Sequence, residues 1–359
     1  MAGVASLEVV DTPEQAARQI LPPLLVRRPV ERALDAAGLG EGPIEAERIG
    51  EGHSNVTYLL RRGAERFVLR RPPRPPLPPS AHDVLREARL LEALEPTAAR
   101  TPRVLLAHAD EAALGVPFYV MEPVEGVVVG AHLAPAHDTE EERRRIGTEL
   151  IDALAELHAV DWRAAGLEGF GRPEGYLERQ LRRFSGLWQL THTRELPLIE
   201  EVATRLARTL PASPPSTIVH GDYRLGNTIY SHAAPARLLA ILDWELATIG
   251  DPLADVGYLT ATYSEPGAPD APLQLTPVTR ATGFPSRAEL VARYERASGR
   301  SVGNLPWYQA LALWKSAIFL EGNYRRWLAG TTDDAWYATL DVRVPALAEA
   351  AHELVRQAA

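Results

Sequence analysis

The stretch from Ile218 to Tyr230, IVHGDYRLGNTIY, sets Asp222 and Asn227 five positions apart between two short apolar runs. A second stretch, LLAILDWELATIGDPLADVGYL from Leu238 to Leu259, sets Asp243 directly after an apolar run typical of a buried strand. A single Asp or Asn in a loop is usually a turn former. Three such side chains, each next to a predicted strand, instead indicate one shared site.

The residue types suit the transfer of a phosphoryl group to a hydroxyl. A hydroxyl that attacks phosphorus needs a carboxylate to orient it and to accept its proton, and Asp222 is the candidate. Magnesium prefers hard oxygen ligands, which Asn227 and Asp243 would supply. The spacing of Asp222 and Asn227 matches the catalytic loop of the protein-kinase signature. For Asp251 and Asp255, in GDPLAD, we favour helix capping or bracing of this loop over chemistry.

Length and composition are those of a globular protein with two lobes. The chain has 359 residues, of which 46% are hydrophobic and 24% charged, so each lobe can bury a core. The formal net charge of -9 argues against nucleic acid as a partner. The N-terminus lacks the pattern of a signal peptide, no apolar run is long enough to span a bilayer, and cysteine is absent. We therefore expect a cytoplasmic protein without membrane contact.

Hydrophobic periodicity divides the chain into a strand-rich N-terminal lobe, residues 1–125, and a helical C-terminal lobe, residues 126–359. In the N-terminal lobe we predict a helix over residues 12–38 with a proline break, followed by strands over residues 43–122. Helical spacing in SAHDVLREARLLEAL predicts one helix between those strands, with Ser80 as its cap. The expected fold class is α+β.

Two glycines and a serine between predicted strands form a candidate phosphate-binding loop. In GEGHSN, Gly50 and Gly52 fit the first positions of G-x-G-x-x-G, and Asn55 takes the place of the third glycine. Asn tolerates left-handed backbone, and backbone N–H groups with the Ser54 hydroxyl would line the phosphates. Taken alone, the same stretch is more typical of an ordinary hairpin turn.

A kinase places a cation on its third strand and pairs it with a glutamate on the following helix. In FVLRR, Arg70 takes the position of that lysine, and Glu87 on the predicted helix is its natural partner. Arg71 is expected on the opposite face, because side chains alternate along a strand. A guanidinium is larger than an ammonium and forked, but it remains cationic. The alternative is an ordinary surface ion pair.

The stretches HGDYRLGN and ILDWELATIGDPLADVGYL resemble the aminoglycoside phosphotransferase family of kinase-like enzymes. They are most similar to the branch found beside acyl-CoA dehydrogenases in larger proteins. The resemblance covers about residues 30–345 and implies a bilobal protein-kinase-like fold, with Mg²⁺ and ATP (or GTP) as cofactors. It also implies a hinge at PFYVMEPVEG, with adenine-binding backbone groups at Glu122 and Val124 and with Met121 in the purine pocket.

The fold does not determine the acceptor. Acceptors in the family include aminoglycosides, choline-like amino alcohols, sugars and homoserine. The dehydrogenase-linked branch implies hydroxyacyl compounds such as hydroxyacyl-CoA thioesters, with an acyl-CoA dehydrogenase as a partner. Several arginines favour an anionic acceptor, with a solvated basic face as the alternative: Arg179, Arg182, Arg183, Arg325 and Arg326. The candidate lining residues of the acceptor pocket are Tyr223, Arg224, Trp244, Glu245, Tyr324 and Arg325.

The leading hypothesis is a magnesium-dependent kinase that phosphorylates a hydroxyl of a small molecule. An aminoglycoside or amino-alcohol kinase is an alternative with a different acceptor. A nucleotide-binding pseudokinase is an alternative without turnover, although a dead copy need not retain Asp222, Asn227 and Asp243. A protein kinase is disfavoured, because no activation segment ending in A-P-E follows Asp243.

Overall fold

The computed structural model describes residues 7–50, 55–74, 82–267, 273, 275–331 and 334–358. The chain forms two compact units. The first consists of Met1–Thr97 with Thr101–Val124, and the second consists of Ala98–Arg100 with Glu125–Ala359. Each unit has its own secondary structure and its own buried side chains.

Strands dominate the first unit. Its elements in chain order are β1 (Val9–Val10), α1 (Pro13–Ala16), β2 (Leu25–Val26), α2 (Arg27–Ala36), β3 (Ile44–Ile49), β4 (Val56–Arg62), β5 (Glu65–Arg71), α3 (Val84–Leu94), β6 (Val104–His108) and β7 (Phe118–Met121). Five of the strands form an antiparallel sheet in the order β3-β4-β5-β7-β6. The two short strands β1 and β2 pair in parallel.

Alternation along the strands gives this sheet two distinct faces. Val56 and Leu60 of β4 point into a core that also contains side chains of β2 and α2. Arg71 is almost fully buried, and its guanidinium donates to the carbonyl of Leu24, just before β2. Arg70, the next residue along β5, belongs to the opposite face, as the sequence predicts.

The predicted helix over residues 12–38 is interrupted at the expected proline break, but the interruption is longer than predicted and includes a strand. α1 ends at Ala16, and the chain becomes extended at Leu25–Val26, where it pairs with β1 before α2 begins. Leu24, Leu25 and Val26 are all buried. These residues, which the prediction placed in a helix, therefore belong to the core of the first unit.

α3 begins four residues after the predicted cap. Its N-cap is Asp83, whose carboxylate accepts a hydrogen bond from the backbone N–H of Arg86. Ser80, the predicted cap, lies outside the described residues. The helix ends at Leu94, as its hydrophobic spacing predicts, and it buries Glu87.

Helices dominate the second unit. Its elements in chain order are β8 (Val127–Val128), α4 (Glu140–Ala159), α5 (Tyr176–Thr191), α6 (Pro197–Arg208), β9 (Thr217–Val219), β10 (Thr228–Tyr230), β11 (Leu238–Ile241), β12 (Thr248–Gly250), α7 (Leu253–Thr262), α8 (Arg287–Ser298), α9 (Leu305–Leu328) and α10 (Leu340–Gln357). The short strands form two small antiparallel sheets, β8-β10-β11 and β9-β12.

The long helix α9 lies at the centre of the second unit. It packs against α5, α6, α7 and α10. Trp307 and Trp314 of α9 are buried, and their indole N–H groups donate to the backbone carbonyls of Leu206 and Ile199 in α6. These indoles bury a large apolar area without leaving a donor unpaired.

A strand-rich first unit and a helical second unit confirm the predicted α+β class. Within the part of the chain that the structure describes, no helix is both long enough and apolar enough to cross a membrane.

Candidate active site

The loop between β9 and β10 carries the candidate base. β9 is followed by His220, Gly221 and Asp222, and a 3₁₀ turn at Leu225–Asn227 leads into β10. Gly221 has φ +89°, and a Cβ atom there would lie 2.9 Å from the Cβ of Leu246. Glycine alone meets both requirements without strain, so this residue determines the path of the loop.

Asp222 and Asn227 contact each other directly. The Nδ2 of Asn227 donates to the Oδ2 of Asp222 at 2.8 Å and to the backbone carbonyl of Asp222 at 2.9 Å. This use of Nδ2 leaves the Oδ1 of Asn227 as the atom that can ligate a cation. The Asp222 side chain is 22% exposed, so a hydroxyl can reach its carboxylate.

Asp243 follows the neighbouring strand. Leu242 donates its N–H to the backbone carbonyl of Asn227 at 2.8 Å, so the two segments run side by side. Asp243 itself has φ 65° and ψ 65°, in the left-handed region. Asp tolerates this region better than most residues, and such outliers cluster at functional sites. The structure therefore places the segments that carry the two predicted metal ligands, Asn227 and Asp243, next to each other.

His220 ties the Asp222 loop to the segment that carries Asp243. Its Nδ1 accepts the backbone N–H of Asp222 at 3.2 Å, and its Nε2 donates to the carbonyl of Leu242 at 2.8 Å. One ring nitrogen must accept and the other must donate, which assigns the ring proton to Nε2. His220 is fully buried and braces the loop, as predicted.

Asp255 anchors the same loop from α7. Its carboxylate accepts the backbone N–H groups of His220 and Gly221 at 2.7 and 2.8 Å, and its Oδ2 lies 3.2 Å from the Nε2 of His158. Burial would raise the pKa of Asp255, but the hydrogen bond of His158 and the backbone hydrogen bond of Gly221 are among the effects that outweigh it and lower the pKa. Asp255 is an ionised structural group, which confirms its predicted bracing role.

Asp251 performs the other predicted structural task. Its Oδ1 accepts the backbone N–H of Leu253 at 2.9 Å at the start of α7, and its Oδ2 accepts the hydroxyl of Tyr308 at 2.8 Å. Burial raises the pKa of Asp251, against the opposing effect of these hydrogen bonds. Asp251 therefore caps α7 and links it to α9.

Sequence reasoning did not identify Tyr258, which interacts with the Asp222 carboxylate. Burial, followed by the charge and hydrogen bond of Asp222, raises the pKa of the Tyr258 phenol well above its ordinary value. Arg224 also approaches Asp222, with its Nε 3.5 Å from Oδ2. The available signal for Tyr258 was its position three residues after Asp255, a spacing that puts both side chains on one face of a helix.

In the first unit, Arg70 and Glu87 form the predicted ion pair. The Nε of Arg70 lies 2.9 Å from the Oε2 of Glu87, and the two side chains are 13% and 2% exposed. Glu87 also accepts from the Nδ2 of Asn55 at 2.6 Å and from the hydroxyl of Tyr119 at 3.3 Å. The pair is buried and cross-linked, which distinguishes it from an ordinary surface ion pair.

Asn55 has a different role from the one that its place in the glycine motif suggests. Asn55 is not among the described residues with positive φ. Its backbone therefore does not adopt the left-handed conformation that Asn tolerates. Its buried amide instead bonds Glu87. Gly50 does have φ +78°, in the region that favours glycine. Gly52 and Ser54 lie outside the described residues.

The predicted hinge follows β7. The backbone N–H of Glu122 donates to the carbonyl of Arg103 at 2.9 Å, which leaves the Glu122 carbonyl for a ligand. No described residue forms a backbone hydrogen bond with that carbonyl or with the N–H of Val124. Met121 pairs with Val68 across the sheet, and it therefore shares the face that carries the ion-paired arginine of β5.

Two candidate lining residues of the acceptor pocket are core residues instead. Tyr223 is fully buried, and its hydroxyl donates to the carbonyl of Leu150 at 2.6 Å. Trp244 is also buried, and its indole N–H donates to a backbone carbonyl at the end of β11. Aromatic residues with a polar tip suit a pocket and a core equally, so residue type misled the prediction. Arg325 is hydrogen-bonded to a carbonyl at the end of α5.

The oxygen atoms of Asn227 and Asp243 fit a magnesium ion that is shared with a nucleotide. Within the described ranges, no group of three His, Cys, Asp or Glu side chains is suited to hold a metal. Magnesium usually takes one or two protein ligands and fills its other positions with phosphate and water. The donor set agrees with this pattern and not with a site built wholly from protein.

Sequence comparison identifies the family. The model of the phosphotransferase enzyme family matches residues 45–314. Acyl-CoA dehydrogenase family member 11 of Gallus gallus is 35% identical over 323 residues, which make up 88% of this chain. The chain spans less than half the length of the curated relatives it matches, and 41% of this one.

Solved structures share the fold. A putative aminoglycoside phosphotransferase from Ralstonia eutropha superposes with a TM-score of 0.77 and 29% identity, covering 92% of this chain and 98% of that one. A thermostable mutant of an aminoglycoside phosphotransferase, in a ternary complex with AMP-PNP and hygromycin B, shows likeness in fold alone. Its TM-score is 0.55 and its identity 16%, with coverage of 90% and 98%.

The fold and the residues around Asp222 define a small-molecule phosphotransferase with a bilobal, kinase-like fold. The chain belongs to the phosphotransferase enzyme family, as its resemblance to the aminoglycoside phosphotransferases predicts.

Proposed function

We propose that the chain transfers the γ-phosphoryl group of ATP to a hydroxyl of a small molecule, with Mg²⁺ as cofactor. The observation that carries this proposal is the direct contact of Asp222 with Asn227, on a segment that runs beside the one leading to Asp243. A carboxylate within reach of solvent is held next to two oxygen ligands of the kind that magnesium prefers. The fold relative in complex with AMP-PNP supports ATP as the donor.

Asp222 acts as the base in this reaction. The acceptor hydroxyl donates a hydrogen bond to the carboxylate, and its oxygen forms a bond to the γ-phosphorus. The bond between that phosphorus and the β,γ-bridging oxygen breaks, ADP leaves, and the hydroxyl proton passes to Asp222. Arg224 helps to hold the carboxylate in position, with its Nε 3.5 Å from Oδ2. Asn227 and Asp243 would hold Mg²⁺, which when bound neutralises charge on the phosphates.

We assign the nucleotide contacts to the first unit. Arg70, oriented by Glu87, would bind the phosphates as the strand lysine of a kinase does. The phosphate loop would consist of Gly50, Gly52 and Ser54, with Asn55 bonded to Glu87 at its end. The adenine edge would pair with the carbonyl of Glu122 and the N–H of Val124, and Met121 would line the purine pocket.

For the acceptor we propose a hydroxyacyl compound, such as a hydroxyacyl-CoA thioester. The support is that the chicken relative is named as an acyl-CoA dehydrogenase family member. The same name supports an acyl-CoA dehydrogenase as a partner. Aminoglycosides and amino alcohols are the second acceptor class, supported by the fold relative that binds hygromycin B.

A product screen tests the acceptor. The pure protein is incubated with Mg²⁺, either ATP or GTP, and a pool of hydroxyacyl-CoAs, aminoglycosides and amino alcohols, and products are sought by mass spectrometry. We expect one class to gain a phosphoryl group. Binding of ATP without any product would favour the pseudokinase, and absence of nucleotide binding would contradict the assignments of Arg70 and the glycine loop.

The Asp222→Asn variant tests the base. The amide cannot accept the hydroxyl proton, so we expect kcat to fall by about 10²–10⁴-fold while the Kd for ATP stays within a few-fold. Asp161→Asn is the matched control, because that exposed carboxylate only caps a turn of its own loop. Unchanged phosphoryl transfer in Asp222→Asn would show that the base is another group.

A further inference from the structure

Lys315 is the single lysine among the 359 residues, and the reaction described above does not use it. It lies on α9, which packs against both α5 and α7. Its Nζ sits 4.9 Å from the ring centre of Phe184 on α5. The residue as a whole is partly buried.

Burial and three charged side chains act on this ammonium group. Burial and the nearby charge of Arg183 on α5 lower the pKa of Lys315 to about 8, and the charges of Asp255 on α7 and of Asp222 act in the opposite direction. Geometry supports this placement, because α9 packs against α7, whose Asp255 accepts the backbone N–H groups of the two residues before Asp222.

Lys315 has no anionic partner within the part of the chain that the structure describes. No carboxylate there lies within ion-pair distance of its Nζ, and its recorded contact is with an aromatic ring. A cation withdrawn from water is normally paired with a carboxylate or hydrogen-bonded. Arg183 likewise forms no ion pair or hydrogen bond with another described residue. Two neighbouring cations without a partner are arranged to receive an anion.

Three of the other arginines that suggested an anionic acceptor are committed to the chain itself. Arg179 donates to the backbone carbonyls of Glu174 and Arg172. Arg325 donates to the carbonyl of Leu190, and Arg326 to the Oδ1 of Asn323 at 2.6 Å. Of the basic side chains considered, Lys315, Arg182 and Arg183 form no ion pair or hydrogen bond with another described residue, and of the two arginines it is the charge of Arg183 that acts on Lys315.

We propose that Lys315, together with Arg183, binds an anionic group of the acceptor and so holds its hydroxyl at Asp222. The inference rests on the proposed function and adds a substrate class: hydroxy compounds that carry a carboxylate or a phosphate. Lys315 is a binding residue in this scheme, and the proton still passes to Asp222. An anion next to Lys315 favours the charged form of the lysine, so binding raises the pKa of its ammonium group.

The single lysine makes a direct test practical, because lysine labelled with ¹³C at Cε gives one side-chain signal. The pKa of that signal is measured alone and with acetate, inorganic phosphate or neutral acetamide. We expect acetate or phosphate to raise the pKa and acetamide to leave it unchanged, and the anion with the larger effect identifies carboxylate or phosphate as the preferred group. A pKa that neither anion moves would overturn the proposal, whether or not the protein turns over.

Steady-state kinetics with acceptors of different charge give a second test of the anion-binding role. The acceptors are 3-hydroxybutyrate, 3-hydroxybutyryl-CoA and the neutral methyl 3-hydroxybutyrate. We expect Lys315→Met to raise KM at least tenfold for the two anionic acceptors. The KM for the neutral ester and the Kd for ATP should stay unchanged. Lys315→Arg should recover most of the loss. Arg183→Met should raise the same KM, whereas Arg182→Met, on the same helix, should not.

The two arms separate this inference from the proposed function. Equal KM changes for the anionic and neutral acceptors would contradict an anion-binding role while leaving the kinase intact. Absence of turnover with every acceptor would contradict the proposed function, and the pKa measurement would then decide the anion site by itself.

Discussion

The position of the Asp222 carboxylate depends on Asp255, which holds the backbone of the preceding two residues. In Asp255→Asn, an N–H group would replace one acceptor oxygen and face a backbone N–H. Hydrogen bonds to a charged group contribute about 1.5–3 kcal/mol each, so we expect the free energy of unfolding to fall by about 2–4 kcal/mol. Urea denaturation measures this change, and kcat should fall with it because the loop loses its anchor.

Asp152→Asn is the control for this variant. Asp152 pairs with Arg293 at a partly exposed site, so its substitution should lower the free energy of unfolding by less than about 1 kcal/mol.

The pH dependence of stability gives a second check on Asp255. The pKa of Asp255 is lowered in the folded state, so its contribution is complete above the ordinary value of 3.8 and is lost as pH falls through the lower folded-state value. The stability difference between wild type and Asp255→Asn should therefore shrink in that acidic range. A constant difference would contradict this account.

The sequence could predict those site residues that interact with residues close to them in the chain. Asp222 and Asn227 belong to one short loop, and their motif indicated one shared site, where the structure shows them in direct contact. Tyr258 lies on a helix that begins far along the chain, and its spacing from Asp255 indicates its face of the helix but not the influence of Asp222 on its phenol. Tyr223 is an aromatic residue with a polar tip, a type that often lines pockets, but tertiary packing buries it in the core.

At the scale of elements, β5 and α3 are joined by the buried pair of Arg70 and Glu87. Arg70→Met would leave Glu87 with its bonds to Asn55 and Tyr119 but without its cation. We expect a loss of stability at the lower end of the about 3–5 kcal/mol typical of a broken buried pair. We also expect the Kd for ATP to rise about 10–100-fold, because a charge-assisted phosphate contact is lost. Calorimetric titration with ATP measures the affinity.

Arg61→Met is the matched control in the same sheet. Arg61 pairs with Glu47, and both side chains are largely exposed, so its loss should cost at most about 1 kcal/mol and leave ATP affinity unchanged. Arg70→Lys should retain part of the affinity, since a cation remains on β5. An Arg70→Met protein that binds ATP normally would limit this pair to a structural role.

The prediction of strands and helices succeeded where a local sequence pattern determines the element. It failed where pairing with a distant segment determines it. The alternation in β4 and β5 predicted both the strands and the opposite faces of Arg70 and Arg71. The segment Leu25–Val26, inside the predicted helix over residues 12–38, is extended because β1 pairs with it across the intervening α1. Such pairing depends on residues well separated in sequence, and helical spacing carries no information about it.

Over the whole molecule, the chain forms two units with separate buried side chains, and a protein of this kind need not unfold in one step. All the tryptophans belong to the second unit, so their fluorescence reports on that unit alone: Trp162, Trp188, Trp244, Trp307, Trp314, Trp327 and Trp336. Far-UV circular dichroism reports on both units. The two probes can therefore show which unit a substitution destabilises.

Leu60→Ala tests whether the first unit unfolds separately. Leu60 is fully buried in the core of the first unit, and its truncation should cost about 2–5 kcal/mol. We expect an early phase of urea unfolding by circular dichroism, with the midpoint of tryptophan fluorescence nearly unchanged. Leu154→Ala, equally buried in α4 of the second unit, should instead lower the fluorescence midpoint. Equal shifts of both probes in Leu60→Ala would show that the two units unfold as one cooperative structure.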